Sequence, residues 1–267
     1  MSFGLNIVKA QQGLSEIKPE QLEIISTDRP GMADTPYLIK KSNIQIETGF
    51  NYEFNDDHNR NNKSFTYNAT LVRYGVSNNF ELRLTSEYIK TIDRSSNSDI
   101  AIQAKGFNAL SVGTKIFIVE EQGLLPDISF LASINLPYIG NKELSPTYIA
   151  PAFKFMAQHS LTEKLSFSYN GGILWDGNQP MSTGLYTIGL DLTVTPRTTI
   201  FIENYGFVPE DGYNQHGFNT GLCFLITRNI QFDISGGFGL TDLSSDGFIN
   251  FGLSWAPHLK KIKHARN

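Results

Sequence analysis

The chain of 267 residues is short of what several functional classes require. Its one cysteine, Cys223, excludes an intramolecular disulfide framework and cannot by itself supply a zinc site. Charged residues make up only 18%, against about 25% in an ordinary soluble domain. The net charge of −4 is the wrong sign for a nucleic-acid surface, which would be basic. Nor is there a long apolar run: a spanning helix needs about 20 such residues, and stretches such as 116–119 stop after a few positions. A helical membrane protein is thereby excluded. Disorder is excluded from the other side, because 40% of the residues are hydrophobic.

What is abundant points to strands. The chain holds 23 glycines, 19 phenylalanines and 11 tyrosines; aromatics suit pleated surfaces and glycine suits tight bends. From residue 43 the alternation is strict. Ile44, Ile46, Thr48, Phe50, Tyr52 and Phe54 oppose Gln45, Glu47, Gly49, Asn51 and Glu53, the period of two of a strand with unlike faces. Phe65, Tyr67, Ala69 and Leu71 then oppose Thr66, Asn68 and Thr70, and Phe80, Leu82, Leu84 and Tyr88 oppose Glu81, Arg83, Thr85 and Glu87. The pattern recurs through 110–118, 128–136, 149–158, 165–176, 186–194, 218–226, 230–238 and 249–255. In 199–207 the faces are less distinct, with Ile200 and Ile202 on one and Phe201, Glu203 and Tyr205 on the other. About twelve strands result.

The connections alternate in length. Tight ones are expected at 76–79, 161–164, 195–198 and 227–229, and long ones at 55–63, 93–108, 138–147, 177–183, 209–216 and 241–247. Short turns at one end and long loops at the other are the habit of an outer-membrane barrel, and an even strand count leaves both termini on the periplasmic side. A soluble sandwich would bury the apolar face, whereas a transmembrane barrel turns it to lipid. Strand lengths near the spanning requirement of about 9 to 11 residues favour the barrel. So do aromatics near strand ends, namely Tyr52, Phe54, Phe65, Tyr67, Tyr88, Trp175, Tyr205 and Trp255. The fold expected is an all-β, antiparallel, up-and-down transmembrane barrel in the cell outer membrane.

In such a barrel the polar face lines the lumen. Gly49, Gly113, Gly172, Gly189 and Gly221 leave room there for the charged candidates on a solute path: Glu47, Glu81, Arg83, Glu87, Lys115, Lys154, Asp191, Glu203 and Asp233. Their mixed signs suggest inward salt bridges more than a selective ring of one charge. The chain divides into four parts: a truncated signal peptide over 1–10, a periplasmic or plug segment over 11–41, the barrel over 42–255, and a basic tail over 256–267. Asp28, Arg29 and Pro30 are the plug candidates, bonding to lumen groups or, alternatively, forming part of an extended linker held by Pro30 and Pro36.

One stretch is not explained by alternation. Ser26-Thr27-Asp28-Arg29-Pro30-Gly31-Met32-Ala33-Asp34, followed by 44–50, the run 72–83 and the Gly113-Thr114-Lys115 strand, resembles the bacterial outer-membrane family named for a putative MetA pathway of phenol degradation. The resemblance covers most of residues 26–255. It implies a β-barrel with a transporter label, no catalytic residues, and handling by barrel-assembly machinery that reads a terminal aromatic such as Trp255. The basic tail after Trp255 departs from that pattern.

Enzymatic signals are sparse. His159-Ser160 is adjacent in sequence but sits at an expected turn, where it does not amount to the serine and histidine of an outer-membrane hydrolase. The chain has no Gly-x-Ser-x-Gly elbow, and its histidines lack metal-ligand spacing. No cofactor or metal is expected. The function expected is passive passage of small solutes, apolar or aromatic ones included, with outer-membrane lipid and the assembly machinery as further partners. A structural or ligand-binding barrel with a closed lumen is the alternative.

Overall fold

The computed structural model describes residues 24–57, 60–95 and 101–257. The expected signal peptide, the first part of the 11–41 segment and nearly all of the basic tail lie outside them. Thirteen strands follow one another: β1 (Ile44–Asp57), β2 (Arg60–Ser77), β3 (Phe80–Ser95), β4 (Ala101–Phe107), β5 (Ser111–Val119), β6 (Asp127–Asn135), β7 (Ala150–Ser160), β8 (Leu165–Trp175), β9 (Ser182–Thr195), β10 (Thr198–Pro209), β11 (Gln215–Thr227), β12 (Ile230–Gly239) and β13 (Gly247–Trp255). Apart from β4 and β5, consecutive strands pair antiparallel, and β1 closes on β13 from Ile46↔Trp255 to Phe54↔Gly247. β4 and β5 lie end to end against β3, β5 on residues 80–85 and β4 on residues 88–94. They form one stave, so the barrel has twelve. Among the described residues only β4, at the loop end, has a side without a strand partner; elsewhere the staves pair all the way round, the condition lipid imposes on any spanning sheet.

The barrel is inside out relative to a soluble protein. Arg73, Lys115, Glu47, Glu81 and Asp233 are wholly buried, whereas Leu84, Ile188, Leu192, Ile202, Phe232 and Leu253 are each about 40% exposed or more. A soluble barrel would invert those values. Aromatic rings cover part of the outer wall in a continuous path, with Tyr52 and Phe65 centred 4.8 Å apart, Phe50 and Phe251 5.1 Å, and Tyr88 and Phe107 5.2 Å. Tyr205 corrects the sequence reading. It faces the lumen, packed edge-on against Phe248 and over Gly217.

Two of the expected long loops are largely strand. β1 and β2 extend to Asp57 and Arg60, and β3 continues to Ser95 with β4 paired beside it. These ends carry Asn, Asp, Arg and Ser, residues of low strand propensity, so alternation fades while the backbone ladder persists. In β2 a bulge disturbs the parity too. Gly49 pairs with Ala69 but Asn51 pairs with Thr66, so β2 spends one residue more than β1 over this interval. The extra residue turns Ala69, Leu71 and Arg73 inward, and leaves Asn68 and Thr70 on the outer wall, both bonded to Thr48. The expected facing of Ala69, Leu71, Asn68 and Thr70 is therefore reversed by the bulge.

Candidate functional site: a chain segment inside the lumen

Residues 25–43 enter and leave the barrel at its tight-turn end. Ile25 N donates to Arg228 O at 2.8 Å in the β11–β12 turn, and Ser42 N donates to Gly75 O at 2.7 Å near the β2–β3 turn. Between these anchors the segment rises to about the fifth residue of the surrounding strands, roughly half their length. Proline at 30 and 36 and the backbone of Gly31 keep it extended and narrow. Its own amides, left without a sheet partner, are taken up by lumen carboxylates: Asp28 N by Glu47 Oε2 at 3.0 Å, Met32 N by Glu203 Oε2 at 2.7 Å, and Ile39 N by Glu81 Oε2 at 2.9 Å.

The electrostatic centre is Asp28. Arg83 Nη1 reaches its Oδ2 at 2.6 Å, Lys115 Nζ its two oxygens at 2.8 and 3.0 Å, and Arg73 Nη1 lies 3.6 Å away. Burial works against the charge, but Arg73, Lys115 and Arg83 together outweigh it and hold the Asp28 carboxyl well below the usual carboxylate range. Arg73 also donates to Glu81 through Nε and Nη2 at 2.9 and 3.0 Å, to Glu47 at 3.0 Å and to Tyr37 O at 2.9 Å. Asp34 is partly buried, which raises its carboxyl, but Lys154, at 2.6 Å, brings it below the ordinary value. Arg29 donates to Asp233 at 3.1 Å and to Asn250 at 2.6 Å.

Seven of the nine charged lumen candidates therefore touch the segment: Glu47, Glu81, Arg83, Lys115, Lys154, Glu203 and Asp233. Two do not. Glu87 bonds Asn108 at 3.2 Å, nearer the loop end, and Asp191 accepts from Ser168 at 3.4 Å. Of the plug candidates, Asp28 and Arg29 bond the wall directly, and Pro30 offers its carbonyl to Ser235 and Asn250 at 3.4 Å. Arg73 was not among the candidates, although it makes the most connections. The β2 bulge is the reason, since uninterrupted alternation from Phe65 puts residue 73 on the outer face.

Counted round the wall, the segment bonds β1, β2, β3, β5, β6, β7, β8, β10, β12 and β13 through Glu47, Arg73, Glu81, Lys115, Ser129, Lys154, Asn170, Glu203, Asp233 and Asn250. Residues 25–39 make no hydrogen bond or ion pair to β9 or β11 among the described residues. A cavity of about 170 Å³ lies on that side, between Arg29–Thr35 and Gln158, Ser168, Asp191, Glu203 and Cys223. At the loop end a wider mouth of about 480 Å³ is lined by Glu53, Asn62, Ser64, Thr91, Gln215 and Ser245.

The family model described as "Putative MetA-pathway of phenol degradation" matches residues 27–256. The chain belongs to that family. The match starts within the inserted segment, so the segment and the barrel share one family pattern. Among solved structures, an outer membrane channel from Pseudomonas putida F1 aligns at a TM-score of 0.67 and 12% identity, covering 85% of this chain and 99% of that one. The KdgM porin, solved with disordered oligogalacturonate, aligns at 0.53 and 12% over 80% and 99%. The translocator domain of the autotransporter NalP from Neisseria meningitidis aligns at 0.53 and 8% over 81% and 89%. At such identities the likeness is one of fold, the closed outer-membrane barrel. No curated protein matches the chain.

Proposed function

We propose that this member of the family is a passive channel of the outer membrane for small solutes, with residues 25–43 acting as a resident constriction. An apolar outer wall round a polar lumen suits a lipid bilayer and requires barrel-assembly machinery to place it there. The observation that carries the channel reading is the cavity left on the β9–β11 side of the segment. It has room for several water molecules, beneath a mouth nearly three times larger. Its lining of carboxylate, amide and hydroxyl groups with Phe201 and Cys223 suits small polar solutes better than the apolar or aromatic ones expected from the sequence.

A closed structural barrel is the second reading, favoured by the near-complete ring of bonds round the segment. Single-channel conductance in planar bilayers separates the two. The channel reading expects a small conductance in the intact protein and a several-fold larger one after deletion of residues 24–41. An absence of conductance in both proteins rejects it.

A further inference from the structure

The inward charges do not cancel. Every inward-facing cation described above is bonded to a carboxylate: Arg29 to Asp233, Arg73 to Glu47 and Glu81, Arg83 to Asp28 and Glu81, Lys115 to Asp28, and Lys154 to Asp34. Glu53, Glu87, Asp191 and Glu203 also face the lumen, and among the described residues none of these has an ion pair. Two of them, Asp191 and Glu203, line the 170 Å³ cavity. Asp191 pairs in register with Phe201, two residues before Glu203 on the same face, so the two carboxylates are diagonal neighbours on one wall.

Glu203 supplies a second, independent observation. It is only 4% exposed, yet its two hydrogen bonds from the segment both go to Oε2. Oε1 has no donor among the described residues and stands over Gly31, where any Cβ would collide with it, at the edge of the cavity that Glu203 lines. Glu203 thus keeps one carboxylate oxygen free of protein donors beside the cavity it lines, and a cation passing there would supply a partner for it.

We propose that the gap between the segment and the β9–β11 wall is the solute path and passes cations in preference to anions, with Asp191 and Glu203 as the selectivity residues. This rests on the channel reading. Cations would enter a mouth lined by Glu53 as well as Lys63 and cross beside two carboxylates that have no ion pair of their own, since Arg29, which also lines the cavity, is paired with Asp233. Anions would meet the same fields as a barrier, the usual action of acidic groups in a pore.

The test is the reversal potential of the intact protein in a potassium chloride gradient, with the Asp191→Asn/Glu203→Gln variant beside it. The expected potassium-to-chloride permeability ratio is at least about threefold for the intact protein, falling toward one in the variant. A conducting protein with a ratio of one or below overturns the proposal while leaving the channel standing, and an absence of conductance rejects both. The intact protein decides this even where the variant folds poorly. Cys223 lines the same cavity and provides a second readout. A cationic methanethiosulfonate should label it several-fold faster than an anionic one of matched length, and equal or reversed rates would contradict the assignment.

Discussion

Gly49 and Gly252 face each other across the β1–β13 closure, and the guanidinium of Arg29 rests on both. A Cβ built at Gly49 would stand within 2.6 Å of Arg29 Nη1, and one at Gly252 within 2.6 Å of Arg29 Cζ. Real Cβ atoms do not approach that closely, so neither glycine can take a side chain while Arg29 keeps its place. The two halves of the barrel seam and the inserted segment are thus fitted to one another. Glycine is required here by close approach, with no demand for an unusual backbone angle.

Substitution at this pair should cost stability through Arg29. Gly49→Ala is expected to destabilise the docked segment by about 1–3 kcal/mol, the usual penalty for overpacking. Arg29→Ala in the same chain should recover part of that, giving a coupling of about 0.5–3 kcal/mol in a double-mutant cycle. Gly171→Ala is the comparison, because a Cβ there meets nothing within 4 Å. Urea unfolding in detergent or liposomes measures the intact protein and the four variants. Additive losses would show that Arg29 does not rest on the glycines.

Arg73 should be the most sensitive position in the lumen. It is wholly buried and holds Glu47, Glu81 and Asp28 together, so Arg73→Met leaves buried Glu47 without an ion pair and takes one cation each from Glu81 and Asp28, which keep Arg83 and, for Asp28, Lys115. Removing one partner of a buried ion pair typically costs about 3–5 kcal/mol. Arg73→Lys should rescue little, since Nε and Nη2 bond the two Glu81 oxygens as a fork that an ammonium cannot copy. Adding Glu47→Gln and Glu81→Gln to Arg73→Met should restore part of the loss. Lys154→Met, which breaks a less deeply buried pair with Asp34, should cost less, about 1–3 kcal/mol.

The same residues show what alternation can and cannot reveal. Period two found the staves, the closure and the lumen face of Glu47, Glu81, Arg83, Lys115 and Asp233, because lipid outside and water inside sort side chains at every second position. A bulge leaves no mark on composition, so alternation puts Ala69 and Leu71 on the wrong face and, carried on, gives no sign that Arg73 points inward. Strand ends beyond the membrane lose their apolar face, which is why 101–107 was assigned to a loop. The Asp28-Arg29-Pro30 motif was legible as something other than a strand, but its partners were not. Glu47 and Arg83 are 19 and 55 residues from Asp28 in sequence, and pairing over such distances is fixed only once the barrel closes.

Protonation of Asp28 should loosen the segment only at low pH. The Asp28 carboxyl is held well below its ordinary value because three cations outweigh the effect of burial. Its contribution to docking is therefore complete above the ordinary aspartate pKa of about 3.9 and is lost as pH falls through the lowered folded-state value. The Asp28-dependent part of the conductance, read as the difference between Asp28→Asn and the intact protein, should stay flat from pH 7 to about 4 and close below that. Asp28→Asn should show the raised level at neutral pH already. A rise centred well above pH 4 in the intact protein would mean that another group controls release.

Orientation in the bilayer can be read from the two tryptophans. Trp255 ends β13 and is 45% exposed on the outer wall, paired in register with Ile46 and Ile230. Trp175 ends β8 and packs edge-on to Phe153, itself 40% exposed on that wall. β8 runs from the tight-turn end toward the loops and β13 runs back, so the two indoles lie at opposite ends of the barrel. Interfacial aromatics of this kind sit at headgroup level on either side of the apolar band. Lipids brominated near the headgroup should quench both indoles strongly, and lipids brominated at the acyl terminus should quench them less. Trp175→Phe and Trp255→Phe variants assign the signal to each residue. Strong quenching of either by midplane bromines would show that the apolar band extends past that end of the barrel and that the membrane boundaries drawn from the strands are misplaced.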